Sequence, residues 1–208
     1  EEVNIITVED HVEYQLAGIN QVQVNEQVGM TFATGLRSIL RQDPDIIMVG
    51  EIRDVETAQI SIRASLTGHL VLSTLHTNSA VAALTRLIDM GVEPFLISSS
   101  LAGVVGQRLV RRVCRDCAQT VAPTEREKEI FAAANIDITE LKRGRGCGSC
   151  NQTGYRGRVA IFEVLTVNDD IRKLIMDSAS AAVIRQYVKD AQVKFLLDDG
   201  LDKAKQGL

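Results

Sequence analysis

The amino-acid sequence predicts an α/β fold in which a parallel sheet is followed by a small cysteine-rich module. Short apolar segments alternate with segments of helical periodicity through the first half of the chain, a pattern typical of βαβ units. Four cysteines follow as two Cys-x-x-Cys pairs, the spacing of a metal site. These two observations define the predicted architecture.

The predicted sheet contains four strands, over residues 3–8, 19–24, 46–50 and 69–75. The second strand alternates apolar and polar residues with period two, as a half-buried strand does. The first and third are continuous apolar runs, which are typical of buried strands. Helical periodicity is predicted over residues 31–43, 54–66, 79–90 and 94–112.

The second half of the chain is predicted to hold shorter elements. A helix over 124–135 lies between the cysteine pairs and begins with a sequence that resembles a capping box, Thr124 to Glu127. A turn at 154–158 leads into a strand over 159–165. Three short helices are predicted over 169–177, 181–190 and 194–205. We therefore predict three domains: the parallel sheet, 1–113; the cysteine module, 114–150; and a strand with helices, 151–208.

Composition and charge exclude several classes of protein. The chain has 208 residues, of which 45% are hydrophobic, enough for one substantial core and a small appendage. A net charge of -4 argues against a general nucleic-acid footprint. No stretch approaches the roughly 20 apolar residues that span a bilayer, and the beginning of the chain lacks the basic flank of a signal peptide. A cytoplasmic location is expected.

The four cysteines, Cys114, Cys117, Cys147 and Cys150, are spaced so that the chain can return to one tetrahedral metal ion. Zinc is the leading interpretation. An iron–sulfur cluster, or cysteines that are reduced and buried or disulfide-bonded, are the alternatives. Four thiolates leave no open coordination position, so the predicted role of the metal is structural.

Three of the predicted strands end in residue types that are common in catalysis. Glu9 and Asp10 follow the first strand, Glu51 the third and His76 the fourth. Ligands of parallel sheets bind beyond the carboxyl ends of the strands, so these side chains are expected at one edge. A buried strand that ends in Glu51 suits a Walker B strand, although any buried strand can end in glutamate.

Three longer segments resemble the motifs of a known family. They are Ile-Thr-Val-Glu-Asp-His-Val-Glu-Tyr at 6–14, residues 36–54 around Pro-Asp-Ile-Ile-Met-Val-Gly-Glu, and Thr-Gly-His-Leu-Val-Leu-Ser-Thr-Leu-His-Thr-Asn at 67–78. In this order they resemble the Asp box, Walker B box and His box of bacterial type II/type IV secretion ATPases. The resemblance covers essentially the whole chain. It implies a RecA-like P-loop NTPase core of a hexameric motor that drives type II secretion or assembles type IV pili.

The Walker A pattern, which cradles phosphates in P-loop enzymes, does not occur in the sequence. We expect a P-loop to precede these strands, so that the chain is the carboxyl-terminal part of the motor, with a core truncated at its amino terminus. The resemblance implies ATP and Mg²⁺ as cofactors, beside zinc at the cysteines. Without the P-loop, we expect the chain alone to be inactive.

The resemblance also assigns roles at the sheet edge. It implies that Glu9 polarises the attacking water, with Asp10 and Glu13 beside it in the same box. Glu51 would hold Mg²⁺, directly or through water, and Arg53 would support Glu51 or contact another subunit.

The two remaining roles fall to histidines. The resemblance implies that His76 senses or contacts the γ-phosphate across the site, and it implies the same for His69.

The expected partners are five further copies in a hexamer and the cytoplasmic domains of inner-membrane platform proteins. The protein would lie peripherally at that membrane without inserting into it, and no nucleic acid is expected. Basic residues around the cysteines, among them Arg111 and Arg143, form either an ordinary solvated surface or a docking face for an acidic partner. Two other functions stay open: a RecA-like nucleic-acid motor, and, for this chain alone, a non-catalytic zinc-bearing docking module.

Overall fold

A computed structural model describes residues 3–208, which divide into two compact units. The first comprises the residues up to Val104 together with Thr166–Gln186, and the second comprises Val105–Leu165 with Tyr187–Leu208. Glu1 and Glu2, where the first predicted domain begins, lie outside the described residues. The boundaries of these units differ from the predicted segments 1–113, 114–150 and 151–208, because two strands far apart in sequence pair with each other.

Eight strands are described in residues 3–208. They are β1 Ile5–Glu9, β2 Asn20–Gln23, β3 Ile46–Val49, β4 Leu70–Ser73, β5 Gly103–Val113, β6 Ala118–Val121, β7 Leu141–Gly144 and β8 Tyr155–Thr166.

Eight α-helices lie in the same part of the chain. They are α1 Phe32–Ile39, α2 Val55–Leu66, α3 Ala80–Asp89, α4 Pro94–Ser100, α5 Glu125–Ala133, α6 Asp169–Met176, α7 Ala181–Asp190 and α8 Leu196–Lys205. No helix of the described chain has the length and apolar character needed to cross a bilayer.

The first unit is built on a four-stranded sheet in the order β2-β1-β3-β4, and all neighbouring strands are parallel. Val8 pairs with Val22 on one side and with Val49 on the other, and Val49 pairs with Ser73. The carboxyl ends of the strands therefore meet at one edge. This arrangement confirms the predicted parallel α/β fold.

One face of this sheet packs on α1 and α2. The core between the sheet and these two helices consists of buried apolar side chains from β1, β3, α1 and α2: Ile6, Val8, Phe32, Leu36, Ile39, Ile47, Val49 and Ala64. The other face is less covered, since Leu70 and Leu72 on β4 are each about half exposed.

The helices begin where local capping residues predict: Asp54 accepts a hydrogen bond from the backbone N–H of Thr57, and Thr31 and Ser79 cap α1 and α3 in the same way.

The predicted helix over 94–112 is wrong beyond Ser100. Leu101 has an extended backbone, with φ -76° and ψ 118°, and β5 begins two residues later. Residues 103–113 contain two glycines and four valines, which disfavour a helix and, for valine, favour a strand. Their strand partner is β8, about fifty residues later, so local periodicity carried no sign of it.

The second unit contains two small sheets. β5 pairs with β8, and β6 pairs with β7 in antiparallel fashion, so that Ala118 lies opposite Gly144. β6 and β7 were not predicted. The capping box of α5 is confirmed, since Thr124 and Glu127 exchange hydrogen bonds between side chain and backbone.

Candidate functional site

The carboxyl ends of β1, β3 and β4 are joined by backbone and side-chain hydrogen bonds. The N–H of Gly50 donates to Val8 O over 2.7 Å. The N–H of Ile52 donates to Thr74 O over 3.0 Å, and the Thr74 hydroxyl donates to Gly50 O over 2.6 Å. These bonds fix the turn that carries Glu51 between its two neighbouring strands.

Glu51 lies at the centre of a charged network at this edge. Its Oε1 accepts a hydrogen bond from an Arg53 NH2 group over 2.5 Å, and its Oε2 lies 2.8 Å from His76 Nε2. Arg53 also donates to Asp10 Oδ2 over 3.2 Å. The Glu51 side chain is 13% exposed, whereas that of His76 is 85% exposed. The network therefore joins a nearly buried carboxylate to a histidine that is accessible from solvent.

Arg53 stabilises the charged form of this carboxylate. Its hydrogen bond lowers the pKa of Glu51 below the ordinary value; burial acts in the opposite direction and the hydrogen bond to His76 adds to the lowering. In return, Glu51 raises the pKa of Arg53. Glu51 is thus held ionised at neutral pH, which is the state that binds a hard cation such as Mg²⁺.

Glu9, the last residue of β1, is held separately. Its Oε1 accepts hydrogen bonds from the Thr7 hydroxyl over 2.5 Å and from Gln21 Nε2 over 3.0 Å. Sequence reasoning missed Thr7 and Gln21. The available signal was their position: Thr7 and Gln21 are partners on neighbouring strands, and Glu9 lies two residues from Thr7, so all three share one face of the sheet.

Two predicted site residues lie away from this network. His69 immediately precedes β4, and its Nδ1 lies 2.9 Å from Ala64 O and 3.2 Å from the Thr67 hydroxyl. It is therefore at the opposite end of β4 from His76. Glu13 is exposed in the loop between β1 and β2. The roles implied for these two residues stay predictions.

The four cysteine side chains meet at one point in the second unit. Their sulfur atoms all lie within 4.8 Å of one another, and none forms a disulfide. The Sγ–Sγ distance is 4.0 Å for Cys114 and Cys147, 3.9 Å for Cys117 and Cys150, and 3.7 Å for Cys147 and Cys150. Three of the four residues are buried.

These distances fit a tetrahedral zinc site. Four sulfur atoms at about 2.3 Å from one zinc ion lie about 3.8 Å apart at tetrahedral angles, whereas disulfide sulfurs are only about 2.05 Å apart. The spacing of the thiols is therefore compatible with a zinc ion. Zinc would be held by Cys114, Cys117, Cys147 and Cys150, and it would tie the two ends of the module together.

The surroundings of the thiols differ. Burial raises the pKa of the Cys117 thiol to about 12. Burial is the largest single influence on Cys150 and acts to raise its pKa. The backbone N–H groups of Cys147 and Gly154, together with the side chains of Cys147 and Cys117, outweigh it and lower that pKa to about 6. These N–H groups lie 3.2 and 3.3 Å from Cys150 Sγ. Backbone N–H groups pointing at sulfur stabilise a thiolate, the form that binds metal.

Gly144 and Gly154 allow two backbone segments to meet beside the cysteines. A Cβ on Gly144 would overlap the Gly154 carbonyl oxygen, and a Cβ on Gly154 would lie 2.5 Å from Gly144 O. The same Gly154 carbonyl accepts the N–H of Cys114 over 2.9 Å. Glycine is thus required at both positions because no side chain fits between the segments.

Substitution of Gly144 by alanine is expected to weaken metal binding. The added methyl group would push β7 from the turn at Gly154, which orients Cys114 and Cys150. Loss of the contacts that orient metal-binding side chains typically reduces metal affinity by about 10–100-fold. Competition with a chromophoric chelator measures this change. Gly148→Ala is the matched control, since a Cβ at Gly148 meets nothing within 4 Å and should leave the affinity unchanged; equal affinities for both variants would contradict the prediction.

The basic residues around the cysteines are partly neutralised. Arg143 pairs with Glu127 over 2.6 Å, and Arg156 pairs with Asp116 over 3.3 Å. The guanidinium of Arg111 lies over the ring of Tyr155, 4.1 Å from its centroid. The docking face for an acidic partner therefore stays a prediction for this surface.

Comparison with known proteins finds similarity over the whole chain. The family model described as "Type II/IV secretion system protein" matches residues 1–208. The type II secretion system ATPase E of Vibrio cholerae is 54% identical over 207 residues, which cover 100% of this chain and 41% of that protein. The type IV pilus assembly ATPase PilB of Thermus thermophilus is also 54% identical over 207 residues, covering 99% of this chain and 23% of that protein.

Solved structures show the same fold. A crystal structure of the pilus retraction motor PilT with bound ADP superposes with a TM-score of 0.71 at 30% identity, covering 100% of this chain and 50% of that one. A structure of the Legionella pneumophila ATPase DotB, at 22% identity and a TM-score of 0.65, shares the fold. The chain spans less than half the length of the type II secretion relatives it matches.

Proposed function

The chain belongs to the type II/IV secretion system protein family, as its three sequence boxes predicted, and we propose that it forms part of a hexameric motor that hydrolyses ATP to power type II protein secretion or type IV pilus assembly. The observation that carries this proposal is the network at the sheet edge. There, an ionised and nearly buried Glu51 bonds both Arg53 and the exposed His76.

In the proposed reaction, water attacks the γ-phosphate of ATP. Glu51 would hold Mg²⁺, which neutralises charge on the phosphate oxygens when it is bound. Arg53 stabilises the ionised form of Glu51 and orients its carboxylate. His76, whose ring is exposed while its Nε2 faces Glu51, is placed to respond to the charge of the γ-phosphate.

Glu9 has a different role in this proposal. Thr7 and Gln21 both donate to its Oε1, and among the described residues its Oε2 accepts no hydrogen bond. The second oxygen can therefore accept a proton from the attacking water. A carboxylate in this role must lie within hydrogen-bond reach of the water. Two hydrogen bonds to one oxygen fix the orientation of the carboxylate and therefore the direction of the other oxygen.

The cysteine cluster has a structural role in the proposal. We propose that it holds one Zn²⁺ and that the motor is cytoplasmic, peripheral at the inner membrane. Cytoplasmic domains of membrane platform proteins are its proposed partners. Zinc would stabilise the fold of the module, because four thiolate ligands leave no position for chemistry on the metal.

Magnesium-dependent ATP turnover by the complete, assembled protein tests the proposal. Glu9→Gln keeps the shape of the side chain but cannot accept the proton, so turnover should fall by about 10²-fold or more while binding of a fluorescent ADP analogue persists. Glu26→Gln, the same change in the exposed residues after β2, is the control. Wild-type turnover by Glu9→Gln would exclude this role, and tight, salt-dependent binding of single-stranded DNA would favour a nucleic-acid motor instead.

A further inference from the structure

The loop between β1 and β2 is fastened to β2 by the side chain of Gln21. Gln21 Oε1 accepts the backbone N–H of Leu16 over 2.8 Å, and its Nε2 donates to Tyr14 O over 3.1 Å. The same Nε2 donates to Glu9 Oε1 over 3.0 Å. One amide therefore contacts the loop at two points and the Glu9 carboxylate at a third.

These contacts determine the orientation of the amide. The Leu16 N–H requires an acceptor, so the carbonyl oxygen of Gln21 must face the loop. The two N–H bonds of Nε2 are then directed at Tyr14 O and at Glu9, and the amide has no further N–H to donate. A rotated amide would place oxygen against the Glu9 carboxylate and lose all three bonds.

A second glutamine makes a simpler contact with the same loop. Gln23 Oε1 accepts the N–H of Val12 over 3.2 Å. Gln23 therefore fixes the loop without donating to Glu9. Among residues 3–208, only Gln21 bonds both the loop and the Glu9 carboxylate. Thr7 supports the same carboxylate oxygen from within β1.

We propose that Gln21 is a positioning residue for ATP hydrolysis. Its amide orients the Glu9 carboxylate so that the free oxygen faces the attacking water, and this orientation depends on the conformation of the loop over residues 10–19. The inference rests on the proposed role of Glu9 as the group that polarises water. Displacement of the loop breaks the bonds to Tyr14 and Leu16, releases the amide and removes one of the two donors that hold Glu9. A partner that moves this loop would thereby change the rate of hydrolysis.

The first test separates positioning from binding. Gln21→Met keeps the length of the side chain but removes all three hydrogen bonds. In the complete protein, kcat for ATP should fall by about 10–100-fold, the size of effect that misplacement of a reacting group produces, while KM stays within about twofold. A rise in KM with unchanged kcat would overturn the inference.

The second test uses the pH dependence of kcat. In Gln21→Glu the new carboxylate can still accept the Leu16 N–H, so the loop contact survives, but it places a like charge against Glu9. A like charge disfavours the ionised form of its neighbour, so the acid limb of the kcat profile should move to higher pH by about one unit. A side chain that contacted the loop but not Glu9 would not produce this shift.

Asn20→Asp is the matched control for charge. It adds one carboxylate on the same strand, one residue away and on the opposite face of the sheet, next to Ile6 rather than Thr7. Its acid limb should coincide with that of the wild type. The other charged or titratable groups around this edge are unchanged in all variants: Asp10, His11, Glu13, Glu51, Arg53 and His76.

The outcomes separate this inference from the proposed function. If Glu9→Gln is inactive but the acid limb of Gln21→Glu stays at the wild-type pH, Glu9 keeps its role and Gln21 does not position it. If Glu9→Gln hydrolyses ATP at the wild-type rate, the proposed role of Glu9 fails first. Thermal unfolding of each variant shows whether it is folded, and single-turnover measurements extend the profile to slow variants.

Discussion

Replacement of Glu51 by glutamine is expected to reduce ATP turnover by the complete protein by about 10²–10³-fold, the usual effect of removing one preorganised electrostatic group. The neutral amide cannot supply the negative charge that holds Mg²⁺. It would also present an N–H group to either Arg53 or His76, both of which approach an oxygen of Glu51 within 2.8 Å. The loss should be accompanied by a higher Mg²⁺ requirement for nucleotide binding.

Glu56→Gln provides the control for this prediction. Glu56 lies in the first turn of α2, is exposed and pairs with Arg37, so it undergoes the same chemical change outside the sheet edge. Its turnover should stay within about twofold of the wild type, as is usual for exposed ion pairs. Turnover of Glu51→Gln equal to that of Glu56→Gln would contradict both the prediction and the assignment of Glu51. Measurement of turnover against Mg²⁺ concentration distinguishes loss of metal from loss of chemistry.

The sequence predicted those site residues that directly follow the ends of the predicted strands. Buried apolar runs located β1 and β3, and parallel pairing then brought the residues after them to one edge. The contact between Glu51 and His76 follows from this topology, although the two residues are 25 positions apart. The helix caps Asp54 and Thr124 could also be predicted from the sequence, because the residues that they cap lie only three positions away.

Sequence reasoning failed where a structure depends on a distant partner or on side-chain direction. The strand β5 looked helical because its pairing with β8 is not encoded locally. Gln21 was read only as part of an alternating strand, yet its amide makes three hydrogen bonds that require knowledge of which face it shares with Glu9. His69 was grouped with His76 by motif, but the strand between them places the two rings at opposite ends of β4.

Removal of the metal is expected to unfold the cysteine module and leave the sheet of the first unit folded. Between the two cysteine pairs, Phe131 and Pro123 are the only residues other than the cysteines that are buried in the described chain, so the module has little apolar core of its own. Structural zinc binding contributes about 10–16 kcal/mol in zinc-finger peptides, which is comparable with the whole stability of a domain. Four ligands brought together by the metal thus outweigh the apolar packing available to this segment.

Cys150→Ser tests this directly, because it removes the thiol with the lowered pKa and its two N–H contacts to sulfur. The purified wild type should contain one zinc per chain by elemental analysis, and the variant much less. Limited proteolysis should then cut the variant within residues 118–146, whereas hydrogen exchange of β1 and β3 should stay slow. Ser149→Ala, one residue away and outside the four thiols, should behave as the wild type. A wild-type protein without zinc, with the same resistance to proteolysis before and after chelation, would show that packing rather than metal holds the four cysteines together.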